Sequence, residues 1–256
     1  MSQSKKIVIV TGGTRGIGRA IVKTLIVDGY YVIATGTKVV SYDDYMPDEG
    51  SVHFFRLDLG SSSSISDCVD RMFDGFGDRD FYGLVNNAGI CEASSMYSQE
   101  SFMESWRRVI DVNLTGAAEF THRIISRPKV HPLGRIVNIA SQLGKFGRAG
   151  YSAYCASKFG LIGLTEVWSR EFAPRGTTVN AVCPGWIETD MTAQDLARMA
   201  KEMGKDPAPF RPELESCLDQ RRFNTPEEVA SIVAFLLSPA SSGITGRAIE
   251  MAGPSA

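Results

Sequence analysis

The run Ile7-Val8-Ile9-Val10, followed by Thr11-Gly12-Gly13-Thr14-Arg15-Gly16-Ile17-Gly18, constrains this chain more than any other stretch. Four β-branched residues read as a short buried strand, and the glycines after them permit a tight turn into a helix. Gly12 suits the turn, Gly16 lets backbone approach a ligand, and Gly18 lets helix pack closely on strand. In that context the N–H groups of the helix start face an anion such as a pyrophosphate. Thr14, Arg15 and Ile17 belong to the same turn. The spacing is Gly-x-x-x-Gly-x-Gly, and glycines alone also admit a purely structural turn.

The alternation continues along the chain. β-branched runs predict strands at 7–10, 31–35, 52–57, 83–85, 135–139, 178–182 and 248–251. Amphipathic stretches predict helices near 17–28, 63–76, 101–113, 115–126, 151–173 and 226–237. Gly29 ends the first of these, and Pro226-Glu227-Glu228 opens the last. Such alternation predicts an α/β architecture: a doubly wound parallel sheet of about seven strands with helices on both faces. One domain spanning 1–256 is expected. Residues 186–222 break the rhythm, with Met191, Leu196, Met199 and Met203 at helical spacing. They read as a helical lid above the sheet, with a break at 204–212 and a second short helix near 212–221.

With 29 acidic against 27 basic residues the net charge is −2, which leaves no footprint for nucleic acid or an anionic membrane. No uncharged apolar run approaches the roughly 20 residues of a membrane span. The N-terminus offers no signal-peptide core. Five scattered cysteines without a C-x-x-C predict reduced thiols and a cytoplasmic protein. The three histidines show no metal-ligand spacing, so no metal is expected. Asn113-Leu114-Thr115 matches a glycosylation sequon and is discounted without a secretory signal.

Tyr154 and Lys158 lie four apart, on one face of a predicted helix. A phenol with a pKa of about 10 is a poor acid–base group at neutral pH. A neighbouring ammonium favours the phenolate and is expected to bring that pKa down. Ser141 adds a hydroxyl for a carbonyl or alcohol oxygen. At the end of the second strand, Thr37-Lys38 stands where an NAD site would carry an acid for the ribose hydroxyls; no acid follows until Asp43. Arg15, Thr37 and Lys38 offer charge and donors for a 2′-phosphate instead.

Taken in order, the glycine turn at 11–18, Asp58-Leu59, Asn86-Asn87-Ala88-Gly89, Asn113, Ser141, Tyr154, Lys158 and Pro184-Gly185 with Thr189 resemble the short-chain dehydrogenase/reductase family over nearly the whole chain. The resemblance implies a Rossmann-type fold and NADP(H). It implies that Asp58, with Leu59 beside it, holds the adenine amino group. Asn87, Ala88 and Gly89 would line the adenosine ribose, and Asn113 would anchor a water relaying protons from Lys158. Ser141 would position the substrate oxygen, Tyr154 would be the general acid, and Lys158 would bind the nicotinamide ribose. Pro184, Gly185, Ile187 and Thr189 would border the nicotinamide, the last two holding its carboxamide. The stretches 134–141 and 178–191 are most similar to 3-oxoacyl carrier-protein reductases and polyketide ketoreductases. Homotetramers are common in the family.

Two departures set the chain apart from a housekeeping fatty-acid reductase: a lid about ten residues longer, and Glu250-Met251-Ala252-Gly253 in place of Asp-Gly-Gly. The expected reaction is NADPH-dependent reduction of a ketone, free or carried on a carrier protein, to a secondary alcohol. A sugar, steroid or secondary-metabolite alcohol dehydrogenase is the rival within the enzyme class, and a non-enzymatic dinucleotide sensor is the rival outside it. The intact Tyr/Lys pair argues against the sensor. Trp186, Met191, Leu196, Met199 and Phe210 are the expected lid contacts of an apolar pocket, opposite Leu143, Phe146 and Tyr151. Lys145 and Arg148 are candidates for steering a carboxylate or phosphate, with a solvated role as the alternative.

Overall fold

In the computed structural model, which describes residues 5–38, 49–77, 79–97, 102–127 and 133–251, strand β1 (Ile7–Val10) is the hub. Asp43, His131 and the Ala252-Gly253 ending lie outside the described residues. All four side chains of β1 are fully buried, but on two sides. Val8 and Val10 join one core, and Ile7 and Ile9 join the other. That split is the period-two geometry of a strand covered on both faces, and it explains the unbroken apolar run.

Six more strands complete a parallel sheet: β2 (Tyr31–Gly36), β3 (Val52–Arg56), β4 (Phe81–Asn86), β5 (Arg135–Ile139), β6 (Thr178–Pro184) and β7 (Ala248–Met251). Their order is β3-β2-β1-β4-β5-β6-β7. The chain therefore reverses direction across the sheet between β1 and β4, the switch point where such sheets open a crevice. Helices α1 (Gly16–Val27) and α8 (Pro226–Leu237) cover one face. Helices α2 (Ser62–Phe76), α4 (Gly116–Ile125) and α5 (Ser152–Phe172) cover the other.

The local signals explain the ends of these elements. Gly29 follows α1 at φ +88°, a conformation that costs glycine little. Ser61 caps α2, its hydroxyl accepting from the Ser64 N–H. Thr225 and Glu228 form a reciprocal capping box at α8. Helix α3 (Phe102–Ile110) was expected to break before α4; instead a single π turn, Asp111–Thr115, joins them. Such turns often sit at functional sites. Here a Cβ on Gly116 would fall 2.1 Å from the Leu59 carbonyl, so α4 starts pressed against the chain after β3.

The lid comprises α6 (Asp190–Glu202) and α7 (Pro207–Ser216). Helix α7 starts five residues earlier than its prolines suggest. Pro207 and Pro209 fall in its first turn, where the missing N–H costs nothing. Leu196, Met199, Ala200 and Phe210 form a small core with Phe223, backed by Trp186, Leu214 and Leu218. Among the described residues, no helix is long and apolar enough to cross a membrane.

Candidate active site

A cleft of about 1400 Å³ opens at the carboxyl ends of the strands, beneath the lid. The glycine turn forms its floor. Gly12 and Gly16 adopt φ of +66° and +51°, so both serve backbone conformation, Gly16 no less than Gly12. Gly18 serves close packing: a Cβ there would lie 2.1 Å from the Gly12 carbonyl and 2.5 Å from Asn87 Nδ2. Arg15 is extended before α1 and makes no side-chain cap, and the first turn carries no acid. The leading N–H groups of α1 consequently face the cleft without a side-chain acceptor, a setting that suits an anion. A Cβ on Gly16 would meet Thr189 Cγ2 at 3.3 Å, so the root of the lid roofs this turn.

Asn87 ties the turn to β4. Its Nδ2 donates to the Thr11 carbonyl at 2.8 Å and the Gly12 carbonyl at 3.2 Å. Thr11 Oγ1 accepts from the N–H groups of Asn87 and Ala88, both at 3.0 Å. Asp58 and Leu59 line the same end, with Asp58 Oδ1 accepting from the Gly60 N–H at 2.9 Å. Thr14, Arg15, Ile17 and Thr37 line the cleft, and Ala88 and Gly89 continue it. Lys38 lies exposed just beyond and does not join the lining. Pro184, Gly185, Ile187 and Thr189 bring the end of β6 to the opposite side.

At the deep end, Tyr154 and Lys158 project from the start of α5, and Ser141 from the end of β5. Ser141 Oγ accepts from the Leu143 N–H at 3.1 Å and stands near enough to the Tyr154 phenol to act on its ionisation. Lys158 is buried, and its Nζ donates to the Ile139 carbonyl at 2.8 Å while standing 5.6 Å from the Tyr154 ring centre. Burial pushes the Lys158 pKa down to about 8. Burial likewise pushes the Tyr154 phenol above its ordinary range, aided by Cys91 and opposed by the Ser141 side chain. In the protein alone the net direction is upward, so burial outweighs the lowering expected from Lys158. Removing both groups from water penalises the charged form of each, and one of the three Lys158 N–H donors goes to the Ile139 carbonyl.

Asn113 is fully buried behind this pair, outside the cleft lining. Its Oδ1 accepts from the Ile90 N–H at 2.8 Å, and its Nδ2 donates to the Ile90 carbonyl at 2.8 Å and to Ser157 Oγ at 3.1 Å. The π turn aims it inward. A Cβ on Gly89 would meet Asn113 Oδ1 at 3.2 Å and Lys158 Nζ at 3.5 Å, which places Asn113 and Lys158 on either side of one small space.

The lid contacts differ from expectation. Leu143, Phe146, Tyr151, Trp186 and Met191 line the cleft, but Leu196, Met199 and Phe210 do not. Those three turn into the lid's own core, because the apolar stripe of a helix packs where it is driest. Gln194, Asp195 and Leu218 take their place in the wall. Tyr151 carries more than wall duty: its hydroxyl donates to the Asp195 carboxylate at 2.7 Å and accepts from Arg198. Lys145 is committed to Glu250, at 2.5 Å, and to the Ala248 carbonyl. A second polar chain escaped sequence reading altogether. Asn86 Nδ2 donates to Asn138 Oδ1 and Asn138 Nδ2 to Thr165 Oγ1, at 2.9 and 2.8 Å, pinning β4, β5 and α5 together beneath the site. Asparagine in two adjacent central strands was the available signal.

The short chain dehydrogenase model matches residues 6–200. The 3-oxoacyl-[acyl-carrier-protein] reductase of Aquifex aeolicus is 39% identical over 253 residues, 97% of this chain and 96% of the relative. Among solved structures, a variant of actinorhodin polyketide ketoreductase with NADPH superposes with a TM-score of 0.90 at 30% identity, covering 98% of this chain and 97% of that one. The 3-oxoacyl-[acyl-carrier protein] reductase of Brucella melitensis in complex with NAD gives 0.83 at 28% identity, over 98% and 97%. On the matched model, the shared fold and the identity across nearly its full length, the chain belongs to the short-chain dehydrogenase/reductase family of oxidoreductases.

Proposed function

We propose that the protein reduces a ketone, of 3-oxoacyl or polyketide-like type, to a secondary alcohol with NADPH. The observation that carries this reading is the grouping of Ser141, Tyr154 and buried Lys158 at the deep end of a dinucleotide-sized cleft. The cleft residues fit the cofactor. The start of α1 carries no side-chain cap, and Gly12, Gly16, Gly18 and Gly89 line the cleft without side chains, which leaves room for a dinucleotide against their backbone. Bound there, a reduced nicotinamide supplies the hydride for the carbonyl carbon.

The chain's own residues manage the oxygen. Tyr154 Oη and Ser141 Oγ converge on the carbonyl, and Tyr154 gives its proton to the oxygen as charge develops. A phenol held protonated by burial is suited to donate. Lys158 holds the nicotinamide ribose and its charge favours the phenolate that results; Asn113 keeps the proton path behind it. Arg15 and Thr37 receive the 2′-phosphate, with Lys38 contributing long-range charge from outside the lining. Asp58, Leu59, Asn87, Ala88 and Gly89 serve the adenosine, and Pro184, Gly185, Ile187 and Thr189 the nicotinamide end. The likeness to 3-oxoacyl and polyketide reductases supports the substrate class, and a carrier-bound substrate is part of the reading. A cytoplasmic homotetramer is proposed by analogy with the family.

The test is NADPH consumption across short 3-oxo esters, bulky cyclic ketones and sugars. The reading expects the highest kcat/KM among the oxo esters or cyclic ketones. Fastest turnover of sugars, or turnover in the oxidative direction alone, would overturn it.

A further inference from the structure

Of the cations that line the cleft, most are accounted for. Lys158 donates to Ile139, and Arg108 pairs with Glu92 at 2.6 Å. Arg15 stands at the glycine turn, and Arg107 is exposed on α3. Arg148 is different. It is half-buried on the substrate side, in the loop that leads into α5. Its guanidinium lies 5.3 Å from the centre of the Tyr151 ring and 5.4 Å from that of Trp186. Its polar contact is Met199 Sδ at 3.5 Å. A thioether is a weak acceptor. Among the described residues no carboxylate pairs with Arg148. The nearby acid Asp195 is already engaged by Tyr151 and Arg198, and Arg198 is also held by Glu202.

Aromatic rings on a guanidinium fix its plane without using its N–H donors. A charge kept half out of water without a counter-ion is costly unless a ligand supplies one. Arg148 lines both the cleft and a smaller cavity of about 350 Å³ that it shares with Met199, and the donors that the flanking rings hold in plane are matched in geometry to an oxyanion group.

We propose that Arg148 is a specificity-determining residue that binds an anionic group, carboxylate or phosphate, carried by the substrate away from its ketone. The proposal rests on the ketone-reductase reading above and deepens it: the substrate class narrows to ketones with an acidic tail. It also separates the two basic residues of this loop, since Lys145 is occupied by Glu250.

The experiment compares 5-oxooctanoate, its methyl ester and 5-oxooctyl phosphate with the NADPH-loaded enzyme and its Arg148→Gln variant. Wild type should favour at least one anionic substrate over the ester by about ten- to a hundredfold in kcat/KM, as a charge-assisted hydrogen bond gives. In Arg148→Gln that ratio should fall to near one. Preference for the carboxylate points to an acid on the substrate itself, and preference for the phosphate to a phosphorylated carrier arm. A ratio unchanged by the substitution, including an equal fall for all three, would make Arg148 a brace between Tyr151 and Trp186 and overturn the proposal. Octanoate binding, followed by Trp fluorescence, separates this from the wider reading. If none of the ketones is reduced but octanoate binds wild type more tightly than Arg148→Gln, the reductase reading fails and the Arg148 site stands. Equal octanoate affinity in both proteins would overturn the Arg148 site.

Discussion

The Tyr151 hydroxyl donates to both carboxylate oxygens of Asp195, at 2.8 and 2.7 Å, and so fastens lid helix α6 to the residue three before Tyr154. Tyr151 is almost fully buried, and burial together with Asp195 holds its phenol protonated as a donor. Tyr151→Phe removes the bond and leaves Asp195 with Arg198. Loss of a hydrogen bond to a charged group should cost about 1.5–3 kcal/mol, concentrated in the lid. Amide exchange should quicken across Asp190–Glu202 while β1 and β4 keep their protection. Unchanged exchange in α6 would show that the lid is held by its apolar core instead.

Lys158 titrates against stability in a defined direction. Its folded-state pKa of about 8 lies below the ordinary 10.5, so between those values the unfolded chain holds more protons. Its contribution therefore becomes more favourable as pH rises through that window, and the penalty for burying the ammonium is present in full below pH 8. Without cofactor, Lys158→Met should be more stable than wild type at pH 7, and the gap should close toward pH 10.5. Denaturant midpoints of the two proteins across that range check this. A gap that widens with pH would reverse the sign.

Glycine positions separate backbone necessity from tolerance. Gly18→Ala sets a methyl 2.1 Å from the Gly12 carbonyl, backbone against backbone, and should cost about 3 kcal/mol along with dinucleotide binding. Gly163→Ala, in the exposed middle of α5 with nothing within 4 Å, should stabilise by about 0.5–1 kcal/mol. Thermal melts of the pair test the contrast.

Cofactor choice turns on Arg15 and Thr37. Arg15→Ala should weaken NADPH by about 1.5–3 kcal/mol with little effect on NADH. Thr37→Asp should repel a 2′-phosphate, offer an acceptor to a ribose hydroxyl, and move the preference toward NADH. Dissociation constants of both nucleotides for wild type and variants are the check; a wild type preferring NADH contradicts the reading.

The sheet was legible because every strand is short, apolar and set between amphipathic helices; β1, β5, β7 and α8 fall where the pattern puts them. Most of the candidate cofactor residues were picked out by a strand–glycine–helix order and by the family motif, and the structure brings them to one cleft. What periodicity could not show is the side toward which a stripe turns. Leu196, Met199 and Phe210 have the spacing of a pocket wall and pack into the lid itself. Nor does spacing reveal solvation. Tyr154 and Lys158 lie one helical turn apart as expected, yet burial outweighs their mutual influence and Lys158 turns to Ile139. Asn113 was singled out by the family motif alone; helical periodicity gave it no direction, and the π turn Asp111–Thr115 accounts for its inward aim.

The measurement that bears most directly on the central claim is single-turnover reduction by Tyr154→Phe, with NADPH affinity measured on the same protein. The account predicts a loss of about 10²–10⁴-fold in rate, the share a positioned proton donor supplies, with NADPH dissociation close to that of wild type. A Tyr154→Phe enzyme that keeps a near-normal rate while binding NADPH would contradict it.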